Sequence, residues 1–431
     1  MKNTVKKAVA FLMAMVMLLS LAACGSQKPA PTAETESPAA ETAQTETPAA
    51  ETAQTETPAA ETAKPASFKK AKIGVGLYLD SGFFTNNIRT YLAALGEEMN
   101  IDFIYTTLTQ NDEAANLTKA QELIAAGCDG IILTQDLGSP AIMKECADAG
   151  VYATGFVCDF NSSFHTAYDD VFGSPIFLGT VADGPCGDDL SRGYEYFDSL
   201  LEYNKRHADA PLKHLAMVTF PEWAFPSHQV FVQQFTEKID EYNKTAETPI
   251  VLDPLDEAID VLPFTPLDST YFAKHEGIDA IFCFADGFTF VYPTMVSSNL
   301  NGSIKLFSAG YGEGSDKDFG SRGNGTFQQE MVSPIEAILY PVVLLVNKIN
   351  GAAFADQPET AERRSCSTII LNSDEDLDLF LGHSFYITGN IDDAIYSPAD
   401  VANMTAVANP EATYANLCAA LEQMSIDAIH K

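Results

Sequence analysis

Seven histidines, eight cysteines and a few Ser–His neighbours are the groups in this 431-residue chain that could catalyse a reaction or hold a metal. A catalytic triad is assembled in space, so the adjacent pairs Ser227-His228 and His383-Ser384 read as ordinary polar residues. Apart from Cys24, the cysteines are Cys128, Cys146, Cys158, Cys186, Cys283, Cys366 and Cys418. None has CxxC or His-rich spacing, which argues against structural zinc, and they read as small buried apolar side chains whose pairing spacing does not give. Gly74-Val75-Gly76 lies inside an apolar run with no third glycine opening a helix, so it does not make a dinucleotide loop. GxxxxGK[ST], HExxH and GxSxG are absent, as is any paired acid and base or nucleophile constellation. The chemistry left is non-covalent recognition, with no catalytic residue, metal or cofactor expected. The single tryptophan, Trp223, sits in Pro221-Glu222-Trp223-Ala224-Phe225-Pro226, where it could stack on a ligand or cover the core.

The chain is 46% hydrophobic and 19% charged, with a net charge of -34, from 25 basic and 59 acidic residues. It can bury a large core, and its size alone predicts two domains. So acidic a chain repels the phosphate backbone, so nucleic acid is not a partner, and charge alone does not hold it to anionic lipid.

Lys2, Lys6 and Lys7 precede an apolar run, Ala8 to Leu19, that ends in small residues at Leu21-Ala22-Ala23-Cys24-Gly25. That is the layout of a secretory signal peptide, and the run is too short for the roughly 20 apolar residues of a membrane span. The tetrad resembles a bacterial lipoprotein box, which implies that Cys24 is lipidated and begins the mature chain, anchoring it outside the cytoplasm. Residues 25–67 repeat Glu-Thr-Ala-Gln-Thr-Glu-Thr-Pro-Ala-Ala, from Glu41 to Ala50 and again from Glu51 to Ala60. With almost nothing apolar to bury, this stretch reads as a disordered tether.

From Ala71 onward, apolar runs alternate with helical periodicity. Strands are predicted at Ala71 to Leu79, Ile101 to Thr106, Gly130 to Thr134 and Val151 to Phe156, with helices between them, one carrying Ile88, Leu92, Leu95 and Met99 at helical spacing. After an irregular stretch, Asp159 to Thr180, a second series has strands at His214 to Thr219, Ile278 to Phe284 and Ile304 to Ser308. The fold class is therefore α/β, with two doubly wound lobes whose ligand loops lie beyond the carboxyl ends of the strands.

Lys72-Ile73-Gly74-Val75-Gly76-Leu77-Tyr78 followed by Ser81-Gly82-Phe83-Phe84 resembles the opening of the type I periplasmic sugar-binding proteins, the ribose- and galactose-binding group of ABC importers. Asn116 to Leu133, Ala149-Gly150-Val151, Gly277 to Asp286 and Gly323-Asn324-Gly325-Thr326-Phe327-Gln328-Gln329 are similar to later landmarks in the same order. The resemblance implies two Rossmann-like lobes joined by a three-crossing hinge that closes on one small ligand. Crossings near 160–180, 326–329 and 368–372 assign 68–165 plus 330–368 to the first lobe and 180–325 plus 369–431 to the second. The tail after Asn350 exceeds what compact members need.

The resemblance also implies site residues. Phe83 and Phe84 occupy the place of rings that stack on a sugar, with core packing as the alternative. Gln135 and Asp159 stand where hydroxyls are bound, Asp159 having helix capping or hinge bracing as its competing role. Gln329 matches a hydroxyl-binding amide at the crossover, with Gln328 as the other register. Phe160 and Gln229 replace arginines, and Ala285 and Tyr311 replace an Asn and an Asp. Asp286 either contacts ligand or caps the next helix, the second fitting its position better. These departures favour a ligand with more apolar or aromatic surface than ribose. The resemblance thus implies a monomeric, membrane-anchored receptor that passes a small carbohydrate-like solute to an ABC permease. A nucleoside or aromatic solute, or a sensory output to a kinase or chemoreceptor, are the alternatives.

Overall fold

A computed structural model describes residues 68–109, 112–160, 169–182, 192–222 and 227–429. The signal segment, Cys24, the tether, Cys186 and Trp223 lie outside the described residues. In chain order the first series is β1 (Ala71–Leu77), α1 (Phe83–Met99), β2 (Ile101–Thr107), α2 (Glu113–Ala125), β3 (Gly130–Leu133), α3 (Ser139–Ala149), β4 (Tyr152–Phe156), α4 (Asp169–Phe172) and β5 (Phe177–Ala182). The second is α5 (Arg192–Arg206), β6 (His214–Val218), α6 (Ser227–Asn243), β7 (Val251–Leu252), α7 (Thr270–Lys274), β8 (Ala280–Cys283), α8 (Gly287–Phe290), α9 (Tyr292–Ser297), β9 (Lys305–Ser308) and β10 (Phe327–Val332). Then come α10 (Leu339–Asn350), β11 (Arg363–Ser365), β12 (Ile369–Leu371), α11 (Asp374–His383), α12 (Phe385–Thr388), α13 (Pro398–Asn403) and α14 (Tyr414–Glu422).

The strands form two six-stranded sheets, β11-β5-β4-β3-β1-β2 and β12-β10-β9-β8-β6-β7. All pairs are parallel except β10 with β12. Buried on both faces, the strands need continuous apolar runs, and β3 (Gly-Ile-Ile-Leu) and β8 (Ala-Ile-Phe-Cys) are wholly buried. Within β1, Gly74 and Gly76 leave the space taken by Leu123, Cys128 and Leu108, so this glycine pair serves helix and loop packing on the sheet. Helix α1 turns Ile88, Tyr91, Leu92 and Leu95 inward and ends at Asn100 in the left-handed conformation. The described cysteines are buried, and burial pushes the thiols of Cys146, Cys158 and Cys283 upward.

The lobe boundaries differ from the sequence expectation at three places. Strand β5, inside the stretch read as irregular, pairs with β4, so the chain leaves the first sheet after Ala182 rather than within 160–180. Its signal is weak because Gly179, at φ 136, interrupts the apolar run where a side chain would strike the Tyr340 hydroxyl and the Glu362 carbonyl. Strand β10 belongs to the second sheet through Val332, which moves the second crossing from 326–329 to Ser333-Pro334. Its run Phe-Gln-Gln-Glu-Met-Val hides a buried strand behind three polar residues. The third crossing lies between β11 and β12, at 366–368 rather than 368–372.

The tail, assigned above to the second lobe as 369–431, is divided. Helix α11 packs on β12, and Arg322 binds Asp378 at 2.6 Å, while α12 and α13 pack on α1 of the first lobe. Four polar side chains of the first lobe take up tail backbone groups. The Asn87 amide donates to the Tyr386 carbonyl at 2.6 Å, and Glu336, Asn347 and Asp356 accept from the N–H groups of Ile395, Ala406 and Tyr414. The chain therefore makes a fourth interlobe passage at His383-Ser384.

In the second lobe α5 lies so close to α6 that a Cβ at Gly193 would stand 2.2 Å from the Phe231 carbonyl and 2.6 Å from the Gln234 Cβ. Rigid backbone cannot yield as a side-chain end does, so Gly193→Ala should destabilise the chain by about 1–3 kcal/mol in urea unfolding. An unchanged midpoint would show that the helices are not held at this separation.

Candidate functional site

Because all strands but β12 run parallel to their neighbours, the outgoing loops of the parallel strands in each sheet collect at one edge. In the first lobe these loops are braced by polar side chains. Thr134 Oγ1 donates to the Gly76 carbonyl and accepts from the Tyr78 N–H, tying β3 to the loop after β1. Buried Asn116 accepts from the Thr109 N–H at 2.6 Å and donates to the Thr109 and Leu137 carbonyls. The Gln135 amide donates to the Thr109 carbonyl at 2.7 Å, so its nitrogen is engaged within the lobe.

Phe83 and Phe84 open α1 but differ. Phe84 lies parallel to Phe156 at 6.0 Å and is held by Tyr78 at 5.1 Å, packed on the core. Phe83 is 38% exposed and faces Tyr386, with ring centres 6.3 Å apart. Of this adjacent pair, one ring anchors and the other is presented.

Asp159 pairs with Arg363 of β11 at 3.1 Å, and the same guanidinium donates to the carbonyls of Asp159 and Phe160. The acid thus braces the edge of β4 against the strand beside the third crossing. Phe160, expected to face ligand, is fully buried at φ 45. Its ring sits over Gly155, where a Cβ would come within 2.7 Å of it, and meets Phe172 and Phe177 edge-on. The missing side chain of Gly155 lets Phe160 turn into the lobe. Beneath it Asp136 accepts from the Phe160 N–H at 3.2 Å, and burial first and Asp159 second push its carboxyl up to about 7.

In the second lobe, His228 Nδ1 accepts from the Phe220 N–H at 3.3 Å and lies 3.1 Å from Thr219 Oγ1. Burial, then Arg192, push this imidazole down to about 3, so it is neutral and fixes the loop after β6. Gln229, half-buried in the first turn of α6, follows it. Asp286 caps α8, accepting from the N–H groups of Phe288 and Thr289 and from the Thr289 hydroxyl at 2.6 Å. Tyr311 meets Phe380 edge-on at 5.3 Å, and burial followed by nearby acids raises its phenol.

Gln329 is fully buried in β10 rather than at a crossing, and neither amide atom has a hydrogen-bond partner among the described residues. The neighbouring Glu330 accepts weakly from the Gly312 N–H at 3.5 Å, beside Tyr311, with the Ser315 hydroxyl near the carboxyl and no closer partner for its other oxygen among the described residues. Burial pushes Glu330 well above the usual carboxylate range, and Asp286 and Asp316 add to the shift.

Three further groups were not singled out from sequence. Phe264 is 43% exposed at φ 59 and stacks on Phe220 at 4.8 Å, so a left-handed non-glycine residue presents a ring at the end of β6. Arg192 is buried at the start of α5, and among the described residues its hydrogen bond is to the Ser333 hydroxyl at 3.4 Å, at the second crossing. Tyr386 belongs to the tail. A helical or strand period could not reveal any of these, because their roles depend on a loop conformation, a crossing and a long-range return of the chain. The arrangement can offer aromatic faces from both lobes and a few buried polar groups with unused hydrogen-bonding capacity, which suits non-covalent capture of a small ring.

No protein-family model and no curated protein matches the chain. Solved structures do. A sugar ABC transport system substrate-binding protein from Bordetella parapertussis aligns with a TM-score of 0.53 and 11% identity, over 72% of this chain and 92% of that one. A glucose-galactose binding protein from Geobacillus stearothermophilus gives 0.51 and 15%, over 72% and 99%. A 5-methylthioribose transporter solute-binding protein from Thermotoga lettingae, in complex with 5-methylthioribose, gives 0.51 and 13%, over 76% and 92%. The two sheets and their likeness to these proteins give the chain the type I periplasmic binding protein fold.

The raised carboxyl of Asp136 has a signed consequence. Its folded value, about 7, exceeds the ordinary value near 3.8, so the proton stabilises the fold at low pH and that contribution is lost as pH rises toward and through 7. Asp136→Asn should therefore match the natural chain near pH 4 and exceed its stability at pH 8 by about 1–3 kcal/mol in denaturant titrations. A difference independent of pH would contradict this assignment.

Proposed function

We propose that this chain is a non-enzymatic, extracytoplasmic solute-binding lipoprotein that captures a small carbohydrate-like ligand between its lobes and delivers it to an ABC importer. The observation that carries the reading is an exposed ring on each lobe, Phe83 in the first and Phe264 in the second, together with the buried polar side chains of β10, Gln329 and Glu330. Aromatic faces cover the C–H surface of a sugar, which water solvates poorly, and buried amide and carboxyl groups select its hydroxyls. The fold neighbours, whose names give sugar, glucose-galactose and 5-methylthioribose binding, support this class of ligand. A neutral solute is not repelled by the acidic chain.

Anchoring through Cys24 rests on the N-terminal sequence pattern. Replacing Cys24 by Ala should move the chain from the membrane fraction to the soluble one, and unchanged membrane retention would remove the anchor from the account.

A nucleoside or other aromatic solute is the second reading. It is favoured by the replacement of family arginines with Phe160 and Gln229 and by the aromatic character around Tyr311. Native mass spectrometry of the chain purified without refolding, followed by thermal shift across sugars, polyols and nucleosides, separates the two. Phe83→Ala and Phe264→Ala should each weaken binding of the compound so found by about 2- to 12-fold, the value of an aromatic contact. A flat response across the whole panel would contradict solute binding.

A further inference from the structure

The tail makes a fourth interlobe passage, and at the point of passage it carries an aromatic ring. Phe385 and Tyr386 follow directly after α11, which is fixed to the second lobe by Arg322 to Asp378 and by Ser321 to Asp374. From Ser384 through α14 the chain is fixed to the first lobe, and residues 426–428 return to α11 and β12. The Asn87 side chain donates to the Tyr386 carbonyl, Phe385 packs against Tyr91 with ring centres 5.6 Å apart, and the Tyr91 hydroxyl donates to the Tyr396 carbonyl at 2.8 Å.

The Tyr386 backbone therefore moves with α1, yet its ring meets groups of both lobes. It lies 6.3 Å from Phe83 in the first lobe, and 6.4 Å from Tyr311 and 5.8 Å from Phe380 in the second. Tyr386 thus bridges Phe83 of the first lobe and Tyr311 of the second. A hinge that opened the cleft would have to draw Tyr386 away from Tyr311 while the short link at His383-Ser384 resists the separation.

We propose that Tyr386 is a positioning residue, a latch by which the C-terminal tail holds the two lobes together and keeps Phe83 in place. This rests on the two-lobe capture reading for its purpose, but not for its test. Removing the ring takes away aromatic contacts whose strength corresponds to about a 2- to 12-fold change in the ratio of open to closed molecules.

The experiment is a distance measurement by electron double resonance on the full chain without added solute. Nitroxides are attached through Lys144→Cys on α3 and Glu241→Cys on α6, both exposed and on different lobes. The natural Tyr386 background should give one narrow distribution. Tyr386→Ala should add a longer-distance population, and Tyr386→Phe, which keeps the ring, should restore the narrow one. Far-UV circular dichroism shows whether each variant is folded, and Tyr386→Leu replaces the alanine variant if that one unfolds. An unchanged distribution in the folded Ala or Leu variant would overturn the latch, as would a natural chain already populating the longer distance to the same extent. Neither outcome depends on finding a solute, so failure of the latch is distinct from failure of the sugar reading.

Discussion

A parallel strand cannot return through a tight turn, and this constraint governs the molecule. Each connection must pass over a face of the sheet as a helix or long loop, so all outgoing loops of a sheet gather at one edge. In each lobe the loops after consecutive parallel strands, from Tyr78 and Asp136 in the first to Phe220 and Asp286 in the second, are therefore neighbours. Interior positions are committed to packing, so this edge is where side chains are left to recognise another molecule. The bracing seen there has a single purpose: Asn116, Thr134, His228 and Arg363 each spend their polar atoms on loop backbone, which fixes the positions from which the presented rings project.

The energetics of the edge differ from those of the sheets behind it. Burying a polar group without a partner costs about 1–3 kcal/mol, and Gln329 and Glu330 retain unmatched buried atoms. A left-handed backbone at Phe264 and at Phe160 adds strain of about 1–3 kcal/mol each. Such groups are tolerated because the cores behind them are extensive, and a hydroxyl-bearing ligand would supply partners that the described residues do not. The same buried environment holds Glu330 toward its neutral form, in which a carboxylic acid both donates and accepts.

Much of this architecture was legible because it rests on apolar periodicity. Runs such as Ile131-Ile132-Leu133 and Ile281-Phe282-Cys283 have few alternatives to a buried strand, and Ile88, Leu92 and Leu95 mark one face of a helix. The site was less legible because position after a strand does not specify which way a side chain turns. Phe160 follows β4 as expected but is drawn inward by the space at Gly155. Polar residues in β10 disguised a strand, which displaced the inferred crossing and drew attention to Gln329 without Glu330. Phe264 could not be found by pattern, since its exposure depends on one left-handed residue. The course of the tail depends on contacts between residues some 300 positions apart, such as Asn87 with Tyr386, which no local window contains.

The central claim is that one solute is shared by the edges of both sheets. Hydrogen exchange of the chain, without solute and then with the compound identified by the thermal-shift panel, tests this most directly. Protection should rise together at the loops after β1 and β3 in the first lobe and after β6 and β9 in the second. Protection confined to one lobe, or arising only on the tail around Ile395 to Met404, would contradict capture between the lobes.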